Sequence, residues 1–90
     1  MITAEGFDLS DALRESVRRE IGRFVQSAHR PVNIIAVHLV DDRGRAVRGQ
    51  GKLCRVSVQY EDDRCIEGSD AEADFDASVA EAFYKAMRPS

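Results

Sequence analysis

The hydrophobic residues near the start of the chain recur at the spacing of an amphipathic helix. Between residues 9 and 25 the apolar positions are Leu13, Val17, Ile21, Phe24 and Val25. This spacing places them on one stripe of a helix, which needs a partner surface to be buried. Ser10 stands where an N-cap is expected, and Asp11 and Glu15 place negative charge near the positive end of the helix dipole. The pattern therefore predicts a helix that packs through one face.

Other segments show the alternation typical of strands. Residues 1–5 alternate before Gly6, residues 32–40 are rich in β-branched side chains, and residues 53–60 alternate between apolar and polar positions. In the last of these, Cys54, Val56, Val58 and Tyr60 are expected to face inward. After a turn at Asp62 and Asp63, residues 64–69 predict a fourth strand, with Ile66 and Gly68 inward. The glycine-rich, basic segment 41–52 is predicted to be a loop.

A second amphipathic helix is predicted over residues 73–87, and Pro89 is expected to end it. Its apolar positions are Phe75, Val79, Ala82, Phe83 and Ala86. The resulting order is β-α-β-β-β-α. A right-handed crossover makes the first two strands parallel, and a sheet with one wet face needs both helices on the other face. We therefore predict an α+β fold, with a four-stranded mixed sheet and two helices packed on one face.

Composition is that of an ordinary globular protein, and a length of 90 residues suits a single domain spanning 1–90. No apolar run approaches the ~20 residues that cross a bilayer, and the N-terminus lacks the features of a signal peptide. We expect a cytoplasmic protein without a membrane partner. Cys54 and Cys65 fall too far apart on neighbouring strands to form a disulfide. The spacing of the histidines and cysteines does not suggest a metal site, so we expect no metal and no cofactor.

Charge is distributed unevenly along the chain. There are ten basic and seven acidic residues through Arg55, but three basic and nine acidic residues after it. Four arginines, Arg14, Arg18, Arg19 and Arg23, lie on the outward side of the first helix. They can form a solvated face, with Glu15 and Arg19 as an i,i+4 pair, or a surface that binds a polyanion.

Several local strings occur in the order and spacing of a known family. They are Ser10–Val17 (SDALRESV) at the helix start, Ile34–Val40 (IIAVHLV) and Arg55–Val58 in two strands, and Asp74–Val79 with Ala82–Lys85 in the last helix. Together they resemble the ribosome hibernation-promoting factor family, which includes the ribosome-associated inhibitor protein Y. The resemblance covers nearly the whole chain.

The resemblance implies a non-enzymatic protein that binds the small ribosomal subunit, in the channel for messenger and transfer RNA, and inhibits translation under stress. Members of the family bind ribosomal RNA through basic residues on their helices. By position, the candidate RNA-binding residues here are Arg14, Arg18, Arg23, Lys85 and Arg88. Each arginine could bind a phosphate with two hydrogen bonds, giving affinity without base recognition.

Other hypotheses remain open at this stage. The fold could instead bind another protein, or form a homodimer, through the open sheet face that bears Ala36, His38, Arg55, Ser57 and Gln59. The arginines of segment 41–52 could also reach RNA, or this segment could be a flexible loop. An enzyme would need a site assembled from distant residues, because no catalytic motif is present in the sequence.

Overall fold

The computed structural model describes residues 1–88 and contains four strands and three helices. The strands are β1 (Ile2–Glu5), β2 (Val32–Asp41), β3 (Lys52–Tyr60) and β4 (Cys65–Glu72). The helices are α1 (Asp11–Ser27), α2 (Arg43–Ala46) and α3 (Phe75–Met87). No helix within residues 1–88 is long and apolar enough to cross a bilayer. Pro89, the predicted end of the second helix, lies outside the described residues.

The strands form one mixed sheet in the order β1-β2-β3-β4. β1 pairs with β2 in parallel, with Thr3 opposite His38, and the other two pairs are antiparallel. β1 and β2 can pair in parallel because α1 connects them as a crossover. A tight hairpin can join only antiparallel strands. The predicted fold class, strand directions and four-stranded mixed sheet are confirmed.

Both long helices cover the same face of this sheet, as predicted. The hydroxyl of Ser10 accepts a hydrogen bond from the Leu13 amide at 3.1 Å, which caps α1. α3 lies against β3 and β4, and α1 lies beside α3 and above β2. The rings of Phe24 and Phe83, 5.8 Å apart, join the two helices. Because each helix follows a strand of the same direction, α1 and α3 run parallel to each other.

The core lies between the sheet and the helices. Val37 and Val56 from the sheet meet Val17 from α1 and Val79 from α3, all almost completely buried. Gly68 faces inward as predicted, and here its backbone touches α3. A Cβ at this position would overlap the carbonyl oxygen of Ala82 and the amide nitrogen of Ala86. Only glycine allows this close approach of strand and helix.

One member of the predicted apolar stripe on α1 is not buried. Val25 is 48% exposed, whereas its neighbour Phe24 is 4% exposed. Successive helical residues are turned by about 100°, so Val25 points along the flank of α1 and not towards the sheet. Its assignment to the stripe was wrong.

The segment predicted to be a loop is more ordered than expected. Asp41 extends β2, Lys52 begins β3, and the residues between them, 42–51, form a folded connection that we call the arm. The carboxylate of Asp42 accepts from the Gly44 amide at 3.0 Å, which caps the single turn of α2. The Asp42 amide donates to the carbonyl of Gly51 at 2.8 Å and closes the arm.

The boundary between the last strand and the last helix also differs from the prediction. β4 continues to Glu72, and α3 begins at Phe75 after the N-cap Asp74, whose carboxylate accepts from the Ala77 amide at 2.8 Å. The aspartate at the N-cap defines where α3 begins more closely than the apolar spacing does, because its carboxylate accepts from a backbone amide of the first turn. Both cysteines are free thiols; Cys54 is buried and Cys65 is exposed.

Candidate nucleic-acid interface

The three candidate arginines of α1 differ in their surroundings. Arg18 donates to Glu15 at 3.1 Å and Arg23 to Glu20 at 3.4 Å. Arg14 is half-buried and makes no ion pair within residues 1–88. The predicted pair of Glu15 with Arg19 is wrong, because Glu15 turns to the i+3 residue and Arg19 binds the hydroxyl of Ser16 at 3.2 Å.

These arginines lie on two flanks of α1. Arg23, with Arg19 and Glu20, lines a shallow groove that faces Asp76 and Val79 of α3. Arg14 and Arg18 are one helical turn apart, and their position in the helical rotation places them on the flank away from α3. The groove between the helices therefore carries both signs of charge, and the outer flank carries Arg14 and Arg18.

Lys85 on α3 is held by a contact within the fold. Its ammonium donates to Oδ1 of Asp70 on β4 at 2.5 Å, and the Asp70 side chain is only 8% exposed. The second carboxylate oxygen of Asp70 is buried without a hydrogen-bond partner in the described part of the chain. Removing the lysine would leave a buried carboxylate uncompensated, so this pair ties α3 to the edge strand.

The pKa values around this pair reflect the contact. Burial acts to raise the pKa of Asp70, but the hydrogen bond from Lys85 and its positive charge outweigh burial, and the pKa is lowered. The same hydrogen bond raises the pKa of Lys85. Hydrogen bonding to Asp70, together with the negative charge of Asp70, raises the pKa of Glu72. Burial, with a contribution from Asp70, raises the pKa of Cys54 to about 12.

Arg88 follows the last turn of α3 and lies over the ring of Tyr84, 5.7 Å from its centroid. Lys85 points to β4, which is the edge of the sheet far from β1. Arg14 and Arg18 are on the opposite flank of the two-helix layer. The five candidate residues are thus spread over four places and do not form one continuous patch.

The outer face of the sheet carries polar residues whose arrangement the sequence did not reveal. Thr3, His38, Arg55 and Ser69 are cross-strand neighbours, one from each strand, and we call them the donor row. The Thr3 hydroxyl and Nδ1 of His38 are hydrogen-bonded at 2.5 Å. His38 faces away from the core, as predicted. A concavity of about 700 Å³ is lined by His38, Arg55 and Ser69 of this row and by Arg45 and Gln50 of the arm, and it extends to Asp70 and Lys85 at the β4 edge.

A metal centre has no support in this part of the molecule. No group of three or more histidine, cysteine, aspartate or glutamate side chains within residues 1–88 is arranged to hold a metal ion. The clustered carboxylates, Asp70 and Glu72, are accounted for by Lys85 and by each other.

Comparison with known proteins identifies the fold and then the family. The structure is similar to a ribosomal subunit interface protein from Coxiella burnetii, with a TM-score of 0.76 and 20% identity over 94% of this chain and 85% of that one. It is also similar to the N-terminal domain of Thermus thermophilus protein Y, with a TM-score of 0.71 and 16% identity over 92% and 83% of the two chains. No curated protein sequence matches the chain.

These structural similarities define the fold, an α+β domain shared with both of those proteins. A family model described as sigma 54 modulation protein / S30EA ribosomal protein matches residues 1–89. The chain belongs to this family of ribosome-associated hibernation and modulation factors, and the resemblance noted in the sequence is confirmed.

Proposed function

We propose that this protein is a hibernation-type factor that binds the RNA of the small ribosomal subunit in the cytoplasm and inhibits translation under stress, without enzymatic activity. The observation that carries the proposal is the family match over residues 1–89. The solved relatives include a protein described as a ribosomal subunit interface protein, with a similar fold over most of its length.

The α1 arginines are the proposed first contacts with RNA. The Arg18 side chain is 60% exposed and that of Arg23 is 76% exposed, so both can exchange partners. Exposed ion pairs of this kind contribute roughly 0–1 kcal/mol, which a phosphate can replace through two charge-assisted hydrogen bonds. Arg14 makes no ion pair within residues 1–88, so it has no carboxylate contact to break before it binds a phosphate. Exchanging these ion pairs for contacts with RNA phosphates would therefore lower the stability of the fold only slightly.

The two candidates on α3 take a lesser part in the proposal. Releasing Lys85 would leave the buried carboxylate of Asp70 without a counter-ion, and the intact pair is neutral overall, so Lys85 contributes little to RNA binding. Arg88 is exposed and lies against Tyr84, from which it can reach an RNA phosphate without breaking an ion pair recorded in residues 1–88.

Cosedimentation with purified small ribosomal subunits tests the proposal. The natural protein is expected to bind at low salt and to weaken steeply as salt rises, because phosphate contacts release condensed counterions. A variant with Arg14→Glu, Arg18→Glu and Arg23→Glu should lose cosedimentation at every salt concentration.

The matched control replaces the same three arginines by lysine, which keeps the charge and removes the planar fork. This variant should retain most of the binding, and circular dichroism should show the same helix content for all three proteins. If the natural protein fails to cosediment at low salt, the proposal is wrong.

A second candidate function is a homodimer or protein-binding module that uses the open sheet face. The observation that favours it is the exposure of Ile34, at 49%, beside the half-buried Ala36 on the outer side of β2. Sedimentation at increasing protein concentration tests this candidate. A mass that rises to twice the monomer value would favour it, and a constant monomer mass would rule out the homodimer.

A further inference from the structure

The outer face of the sheet has a line of hydrogen-bonding side chains across all four strands. In the donor row, Thr3 is opposite His38, His38 is opposite Arg55, and Arg55 is opposite Ser69. Neighbouring strands are about 4.8 Å apart, so the row spans roughly 14 Å. The Thr3 contact uses Nδ1 of His38 and leaves Nε2 as the other ring nitrogen for a ligand. The row offers hydroxyl, imidazole and guanidinium groups along one line.

The arm brings further cations to the same side. Its hydrogen bonds, including that from the Gln50 amide to the Arg45 carbonyl at 3.2 Å, fold it into a defined shape. Arg45 and Gln50 line the concavity together with His38 and Arg55. Arg43 and Arg48 are also exposed on the arm. Two arginines, Arg45 from the arm and Arg55 from the sheet, thus line one concave surface.

The arginines on this side are largely without carboxylate partners. Arg43, Arg48 and Arg55 make no ion pair within residues 1–88, and Arg45 is 3.8 Å from Asp42. The carboxylates that line the concavity are Glu5 and Asp70, and Lys85 is paired with Asp70 there. Glu67 on β4 and Asp42 in the arm lie outside the lining. Asp42 is already engaged as the cap of α2. The surface therefore has a small excess of positive charge, and most of its guanidinium groups make no ion pair within residues 1–88.

An apolar row lies next to the donor row. Val40, Leu53 and Ala71 are cross-strand neighbours, and all three are half-buried. They can contact riboses and base edges, but no aromatic ring stands on this part of the sheet for base stacking. Contacts of this composition fit a phosphodiester chain without sequence preference.

We infer that the outer sheet face binds a single strand of RNA, which lies across the four strands with its phosphates against the donor row and the arm. The inference rests on the proposed function, because ribosomal RNA supplies the strand. It adds a second RNA contact on the side of the sheet opposite to α1 and α3. The protein then lies between two RNA segments, with one at the helices and one at the outer face.

Fluorescence anisotropy with an unstructured 20-nucleotide oligouridylate tests the inference separately from ribosome binding. The outer-face variant carries Arg45→Gln and Arg55→Gln, and the matched control carries Arg30→Gln and Arg64→Gln, which make the same charge change at the Asp62 ion pairs near the β3–β4 turn. Each phosphate contact contributes about 0.7 to the slope of log K against log salt for single strands, so the outer-face variant should lower that slope by about 1.4. Its affinity should fall about tenfold or more at low salt.

The Arg30 and Arg64 control should keep its affinity for the oligonucleotide within about twofold. The helix variant with Arg14→Glu, Arg18→Glu and Arg23→Glu should lose cosedimentation with small subunits. If the outer-face variant binds oligouridylate as tightly as the natural protein, or if the natural protein does not bind it at all, the inference is overturned. The proposed function would still stand if the natural protein cosediments with small subunits and the helix variant does not.

Two further measurements define the ligand chemistry. Glu5→Gln removes the carboxylate on the rim of the concavity and should tighten oligonucleotide binding about twofold to threefold. A fluorescent poly-glutamate peptide of equal length should bind at least tenfold more weakly than the RNA. Equal binding of the peptide would contradict RNA as the occupant and indicate an acidic protein partner.

Discussion

The helix side and the outer sheet side of this protein both carry arginines, but in different electrostatic surroundings. On α1, Arg18 and Arg23 each have a glutamate three residues earlier, and each forms an exposed ion pair. On the outer face, the cross-strand neighbours of Arg55 are His38 and Ser69, and no ion pair forms. In a helix the neighbours come from i−3 and i−4, whereas in a sheet they come from the register.

The two sides also differ in how tightly they are packed. Between the helices and the sheet, Gly68 touches the backbone of α3, Cys54 is buried, and Asp70 is held by Lys85. On the outer side, Cys65 and Arg55 are exposed. Substitutions in the packed layer between the helices and the sheet are therefore expected to change stability, and substitutions of exposed arginines on either side are expected to change binding.

The largest effect is expected at the contact between β4 and α3. Gly68→Ala should lower the free energy of unfolding by about 3 kcal/mol or more, because the new methyl group overlaps the α3 backbone, which cannot move aside cheaply. Urea denaturation followed by circular dichroism measures this loss.

The matched control is Gly22→Ala on the exposed side of α1, where nothing lies within 4 Å of the new Cβ. This change should raise stability by about 0.5–1 kcal/mol through helix propensity. Equal stability of the two variants would show that α3 does not approach β4 as closely as described.

Thiol reactivity distinguishes the two sides without mutation. At pH 8, iodoacetamide should modify Cys65 at least about 100-fold faster than Cys54. Cys54 reacts slowly because it is buried and burial raises its pKa to about 12. Mass spectrometry of peptides after timed quenching gives both rates. In strong denaturant the two rates should converge, and similar rates in the native protein would mean that the core around Cys54 opens readily.

The Asp70–Lys85 pair predicts a pH dependence of stability. The lowered pKa of Asp70 in the folded protein means that its ionised form stabilises the fold above its ordinary pKa. This stabilisation is lost as the pH falls through the folded-state pKa. Asp70→Asn should lower the denaturation temperature at pH 7 by roughly 4–8 °C, and the difference from the natural protein should shrink below about pH 4.

Glu72→Gln is the opposite case and serves as the control. The raised pKa of Glu72 means that its charged form is disfavoured in the folded protein. The Gln variant should therefore be more stable than the natural protein at pH 7. The gain should disappear at acidic pH, where Glu72 is already protonated. A destabilised Glu72→Gln at pH 7 would contradict the arrangement of the two carboxylates.

The smallest effect on stability is expected for the exposed pair on α1. Glu15→Gln frees Arg18 and should change the free energy of unfolding by less than about 0.5 kcal/mol. If α1 contacts RNA, the same change should raise the affinity for small subunits about twofold to fivefold, because a competing carboxylate is removed. Glu61→Gln on the β3–β4 turn makes the same charge change beyond the C-terminal end of α1, away from Glu15, and an equal gain from it would point to net charge alone.

Much of the fold was predictable because its signals are local. The period of the apolar residues identified both long helices and their buried faces, and the alternation around Val56 identified the central strand. Ser10 marked the start of α1, as its contact with Leu13 shows. The single turn of α2 was missed because the glycines and arginines around it outweigh the one helix-start signal, the capping carboxylate of Asp42.

The candidate site was less predictable because it depends on neighbours that are distant in the chain. The sequence alone identified Lys85 as a cation, but only the tertiary structure shows that a carboxylate 15 residues away holds it. The donor row requires the register of all four strands, and a shift of one residue would disperse it. The sequence determined which side chains face the core, through backbone periodicity; the tertiary structure decided which charges meet, since strand register and helix placement are set by packing across the whole domain.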